Sequence, residues 1–211
     1  MLFVFVLTLL TSYILPSSAL AENERPVKTI LVYGDSLSAA YGIPREQGWV
    51  SLLEQRIQSQ KLPYRVVNAS VSGETTSGGL SRFPADLRQH APDLVILELG
   101  ANDGLRGLPV NEMQNNLGKM IQAAKAAKAR VLLLGMMMPP NYGHRYAQEF
   151  KASFTQLALK FKLPLVPFFL DGVAAHPELI QDDGLHPLGS GQPRILDNVW
   201  TELGPMLTGD R

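Results

Sequence analysis

The sequence contains no cysteine. Disulfides, thiol nucleophiles and cysteine-ligated metals are excluded, so the fold must rest on packing alone. There is no excess of charge of either sign, since 19 Lys and Arg balance 19 Asp and Glu. Nothing in that balance favours a polyanion, and no nucleic-acid partner is expected. Histidine is scarce, with four residues in the 211, which narrows the search for a general base. No repeat, low-complexity tract or linker divides the chain. Long apolar runs are missing beyond the first fifteen residues, so no membrane span is expected there.

The start of the chain is different. Met1 to Leu15 is largely apolar and uncharged, Ala19-Leu20-Ala21 follows, and Glu22 is the first charged residue. An apolar core that ends in small-x-small has the form of a secretory signal cut after Ala21, although the usual basic n-region is absent. The expected organisation is a signal peptide over 1–21 and one domain over 22–211. The location is then periplasmic or secreted, with no stable membrane insertion after cleavage. About 190 residues suffice for a single sizeable core.

Within that domain, five short apolar runs alternate with amphipathic segments. The runs are Thr29–Tyr33, Tyr64–Val71, Leu94–Leu99, Arg130–Met136 and Leu165–Phe169. Most are unbroken Val, Ile and Leu, as in strands covered on both faces. Between them, apolar residues recur every three or four positions: Trp49, Leu52, Leu53 and Ile57; Val110, Met113, Leu117, Ile121 and Ala124; Tyr146, Phe150, Phe154, Leu157 and Phe161; Ile195, Val199, Leu203 and Met206. Strand-helix alternation predicts an α/β fold with a five-stranded parallel sheet between helical layers. Right-handed crossovers make the flavodoxin-like order 2-1-3-4-5 the simplest. Ligands of such sheets bind beyond the carboxyl ends of the strands.

Four polar groups stand at or near such ends. Ser36 follows the first strand in "YGDSLS", with Gly34 allowing a sharp turn and Ser36 expected to open a helix. The turn is neither a Gly-x-Ser-x-Gly elbow nor a phosphate loop. Gly73 lies in "NASVSGETT" after the second strand, where a glycine lets a backbone N–H approach a ligand. Asn102 lies in "LGANDG" after the third and can offer an amide to a developing negative charge. Asp183 and His186 lie in "DDGLHP", three residues apart, where a carboxylate can hold an imidazole as a base. Taken singly, each is equally the signature of a cap or turn. The other histidines, His90, His144 and His176, read as surface residues.

These four blocks, in this order, resemble those of the SGNH (GDSL) hydrolases, and the resemblance spans nearly the whole of 22–211. It is closest to bacterial periplasmic members that act as acyl-CoA thioesterases, lysophospholipases and arylesterases. It implies a three-layer α/β/α sandwich and a triad of Ser36, His186 and Asp183. It also implies an oxyanion hole made by Ser36, Gly73 and Asn102, with no metal and no cofactor. The expected substrate is a small acyl ester or thioester, and the expected state a monomer. The alternatives are a carbohydrate deacetylase or a non-catalytic lipid carrier on the same scaffold. Leu105, Leu108, Pro109, Pro140 and Tyr142 are the candidate lining for an acyl chain, with Met138 and Pro139 beside them. Arg106 is a candidate contact for a phosphate. Asp35 and Asp103 are read as braces of their loops, and Glu74 and Glu98 have no assigned role.

Overall fold

The computed structural model describes residues 26–209. The signal peptide expected over 1–21 lies outside the described residues. Five parallel strands form one sheet: β1 Lys28–Gly34, β2 Tyr64–Asn68, β3 Leu94–Glu98, β4 Arg130–Leu134 and β5 Leu165–Val166. Their order is 2-1-3-4-5. β1 and β3 are central and almost wholly buried, which is why their sequences carry no polar alternation. β5 ends earlier than its apolar run because Pro167 has no N–H for the ladder.

The helices are α1 Trp49–Ser59, α2 Thr76–His90, α3 Ala101–Leu105, α4 Val110–Ala126, α5 His144–Phe161 and α6 Gln192–Thr208. α1 packs on α6, while α2, α4 and α5 pack in a row on the other side, giving three layers. The apolar stripes face inward: Met113, Leu117, Ile121 and Ala124 of α4 are buried, as are Ile195, Val199, Leu203 and Met206 of α6. Apart from the five-residue α3, one helix, α2, has no counterpart among the sequence stripes, since Gly78, Gly79 and Pro84 disfavour helix. Tertiary contact overrides them. Thr75 caps the helix by accepting from Gly78 N–H, and the Tyr33 hydroxyl donates to Gly79 O at 2.8 Å. A side chain at Gly79 would strike Leu99, so the glycine lets α2 sit close on the sheet.

Ser36 does not open a long helix. Ala39 N–H donates to Asp35 O at 2.9 Å and Tyr41 N–H to Ser36 O at 3.1 Å. Ala40 and Gly42 then take positive φ, at 59° and 74°, and the chain leaves after a single turn. The register aligns the strand ends, with Gly34 opposite Glu98 and Val32 opposite Asn68. The segments after β1, β2 and β3 therefore emerge side by side.

Candidate active site

A cavity of about 370 Å³ opens at the carboxyl edge of the sheet. Ser36, Gly73, Asn102 and His186 all line it. Ser36 stands on the turn after β1. Gly34 has no room for a side chain, because a Cβ there would collide with the Glu98 carboxyl and crowd Ser38 Oγ at 2.8 Å. Gly73 takes φ +77°, a conformation that suits glycine. Among the described residues, the N–H groups of Ser36 and Gly73 have no acceptor in the protein. Asn102 sits in the first turn of α3 and gives one amide hydrogen to Asp35 Oδ2 at 3.0 Å. An amide carries two, so one donor remains.

His186 reaches the site from a surface hairpin. Ile180 and Pro187 form an antiparallel bridge, and Gln181 N–H donates to His186 O at 2.8 Å. Asp183 stands at the tip, beside Gly184 at φ +71°. Its Oδ1 accepts from the N–H groups of Leu185 and His186 at 2.9 and 3.0 Å. Its Oδ2 lies 2.6 Å from His186 Nδ1, and His186 Nε2 lies 2.8 Å from Ser36 Oγ. The N–H groups of His186 and Leu185, and the imidazole, hold the Asp183 carboxyl down at about 2. An ionised carboxylate only accepts, so Nδ1 carries the hydrogen and Nε2 is left to accept from the Ser36 hydroxyl.

Behind Ser36 lie two buried carboxyls. Asp35 is wholly buried, and its Oδ1 accepts from Leu37 N–H at 3.0 Å. Burial pushes its carboxyl up to about 6, against the opposing pull of Leu37 N–H and the Asn102 amide. Glu98, also buried, accepts from Asp35 N–H at 3.2 Å and from Ser38 Oγ at 2.7 Å. Burial first, and then the adjacent Asp35, push it well above the ordinary carboxylate range. Sequence reasoning gave Glu98 no role. The available signal was a lone carboxylate ending an otherwise apolar central strand. Asp103 braces α2 rather than its own loop, accepting from Thr76 N–H at 2.8 Å and from the Thr76 hydroxyl at 2.5 Å. Glu74 pairs with Arg82 at 2.6 Å.

The apolar lining needs correction. Leu105, Met138 and Pro139 do line the cavity, but Leu108, Pro109 and Tyr142 do not. Tyr142 donates instead to Leu105 O at 3.2 Å, and Tyr146 to Leu108 O at 2.8 Å. The first bond ties the turn before α5 to the end of α3, and the second ties α5 to the segment after α3. Pro140 begins a short 3-10 helix, and its side chain lies outside what is described. The lining that sequence reasoning missed comes from the chain after β5 and from the hairpin: Phe168, Leu170, Ala174, Ile180 and Leu185. Arg106 donates to Gly73 O at 3.0 Å, which ties the segment after α3 to the loop after β2.

Comparison with known proteins agrees with this geometry. Esterase TesA of Pseudomonas aeruginosa is 50% identical over 188 residues, which is 89% of this chain and 94% of that protein. Thioesterase 1/protease 1/lysophospholipase L1 of Escherichia coli K12 is 44% identical over 182 residues, 86% of each chain. The structure of the psychrotrophic esterase EstA from Pseudoalteromonas sp., inhibited by monoethylphosphonate, superposes with a TM-score of 0.82 at 44% identity. It covers 86% of this chain and 99% of its own. The GDSL-like lipase/acylhydrolase family model matches residues 32–193. With 162 of its 211 residues inside that match and its ordered blocks meeting at one cavity, this protein belongs to the GDSL-like lipase/acylhydrolase family.

Proposed function

We propose that the protein is a serine esterase and thioesterase that transfers an acyl group first to Ser36 and then to water. The observation that carries this reading is the unbroken relay from Ser36 Oγ through His186 to Asp183, at 2.8 and 2.6 Å, beside a largely apolar cavity. Ser36 Oγ attacks the carbonyl carbon as His186 Nε2 takes its proton. The oxyanion is held by the N–H groups of Ser36 and Gly73 and the amide of Asn102. Asp183 keeps the imidazole oriented and stabilises its protonated form. The tetrahedral adduct collapses as His186 protonates the departing alkoxide or thiolate. Water, deprotonated by His186, then attacks the acyl-enzyme, and Ser36 recovers its proton.

The lining supports an acyl chain as the apolar part of the substrate. Met136, Met138, Phe168, Leu170 and Ile180 supply an adaptable apolar wall. The relatives' names, covering aryl ester, thioester and lysophospholipid hydrolysis, point to the same class. On this reading the enzyme is exported after cleavage near Ala21 and acts as a monomer through its single domain. Among the described residues, no helix is long and apolar enough to cross a membrane.

The test is labelling by a fluorophosphonate together with hydrolysis of p-nitrophenyl esters, acyl-CoA, lysophospholipid and acetylated sugar. Ser36→Ala is expected to lose labelling and about 10⁶ in kcat, with an unchanged melting temperature. Retention of substantial activity by that variant overturns the nucleophile. A preference for acetylated sugar replaces the substrate class with carbohydrate deacetylation.

A further inference from the structure

The His186 hairpin is closed on itself by backbone hydrogen bonds: Leu188 N–H to Leu179 O at 2.7 Å, Gln181 N–H to His186 O at 2.8 Å and Gly184 N–H to Gln181 O at 2.9 Å. None of these bonds says where the hairpin sits relative to Ser36. Besides His186 itself, the side chain of Gln181 does. Gln181 Nε2 donates to Tyr41 O at 2.9 Å and to Pro187 O at 3.1 Å. Tyr41 in turn belongs to the nucleophile turn, since its N–H donates to Ser36 O at 3.1 Å. We propose that Gln181 is a positioning residue, a clamp that sets the His186 hairpin against the Ser36 turn through a hydrogen-bonded path that avoids the reacting atoms.

The path runs from Ser36 O to Tyr41 N, from Tyr41 O to Gln181 Nε2, and from that nitrogen to the carbonyl of Pro187, the residue after His186. Both partners of the amide nitrogen are carbonyls, which only accept, so the orientation of the Gln181 amide is fixed by chemistry. The fit is close on the other side as well. A Cβ at Gly42 would overlap the Gln181 amide, so the chain passes that point as a glycine at φ +74°. The clamp also sets the Tyr41 ring, whose centroid lies 4.6 Å from that of His186 at 41°. Gln181 is absent from the relay and from the cavity lining.

The proposal rests on the acyl-transfer reading above, with Ser36 as nucleophile. Its test compares Gln181→Leu, which removes both donors, with Gln181→Glu, which keeps the shape and turns a carboxylate toward two carbonyls. The residue lies on a surface hairpin outside the core, so both variants are expected to fold with melting temperatures close to the parent's. A misplacement of about 1 Å costs up to about 10²-fold in rate. Both variants should therefore lose between about tenfold and a hundredfold in kcat, with Gln181→Glu at least as impaired and KM for a short ester unchanged. The rate of phosphonylation of Ser36 should fall in parallel. The downfield proton resonance of the His186 Nδ1–H should persist, because Asp183 and His186 travel together on the hairpin. Disappearance of that resonance means that the hairpin itself is lost and overturns the clamp. So does a kcat within about twofold of the parent. Ser36→Ala, measured alongside, separates the two readings. If it remains active the hydrolase mechanism fails, and if it is dead while Gln181→Leu is unimpaired only the clamp fails.

Discussion

The two halves of the relay are held by different physics. Ser36 sits on a turn rooted in the middle of the sheet, with Asp35, Ser38 and Glu98 behind it at 0%, 2% and 1% exposure. His186 and Asp183 sit on a surface hairpin beside Leu185, which is 44% exposed. The first half is set by burial and strand register, and its polar atoms are costly to leave unpaired. The second is set by a few local hydrogen bonds over eight or nine residues, and water is available to replace any that are lost. Substitutions on the hairpin should therefore change rate with little change in stability. Substitutions behind Ser36 should change stability as well, with a dependence on pH.

The largest effect on the hairpin side tests this most directly. Asp183→Asn is expected to lower kcat by about 10⁴, because an amide no longer fixes the tautomer that leaves Nε2 free to accept. The melting temperature at neutral pH should fall only slightly, since the carboxylate is part-exposed and its contribution is screened by solvent. The same carboxyl gives a sign for acid conditions. Its folded value, about 2, is depressed below the ordinary 3.8, so its contribution to stability is present above that value and fades as pH falls toward 2.

An intermediate effect lies where the two halves meet. Asn102→Ala removes the donor that the acyl-transfer proposal assigns to the oxyanion, and also a partner of buried Asp35. A loss of about 10²–10³ in kcat is expected, accompanied by destabilisation, since Asp35 keeps only the Leu37 N–H on its carboxyl. Steady-state kinetics and thermal melts on the same sample check both parts. A rate loss without any stability loss would detach Asn102 from the buried carboxyls and blur the contrast between the halves.

The same contrast explains what the sequence disclosed. The fold was legible because β1 and β3 are buried on both faces and α4 and α6 on one, so burial wrote itself into apolar periodicity. Ser36, Gly73 and Asn102 could be placed because each stands just past a strand, and His186 because Asp183 lies within the same short loop. α2 was hidden by Gly78, Gly79 and Pro84, of which Gly79 answers to close packing on Leu99 and Tyr33 rather than to helix propensity. Glu98 was hidden because its role depends on lying opposite Gly34 in the register, and register is a property of pairing. Leu108, Pro109 and Tyr142 were expected on the cavity wall and lie off it; Tyr142 and Tyr146 are engaged with the carbonyls of Leu105 and Leu108. No local pattern announces such long-range tethers.

The smallest expected change in rate comes with the clearest signature of the buried half. In Glu98→Gln the side-chain carbonyl can still accept from Asp35 N–H and Ser38 Oγ, so kcat should change less than in either variant above. Stability should change in a specific way. Burial, and then Asp35, raise the folded-state pKa of Glu98 well above its ordinary 4.5. The folded chain therefore keeps a proton that the unfolded chain releases, and the parent loses stability as pH rises from that value toward the folded one. A glutamine has no such proton. The stability of the variant relative to the parent should thus grow as pH rises above the ordinary glutamate range, and level off once Glu98 ionises in the folded protein. Asp35, raised to about 6, adds a slope of the same sign to both proteins and largely cancels in the difference. Chemical denaturation at four or five pH values reads it. A difference that does not vary with pH would mean that Glu98 is ionised in the folded protein, and that the turn beneath Ser36 is wetter than its burial implies.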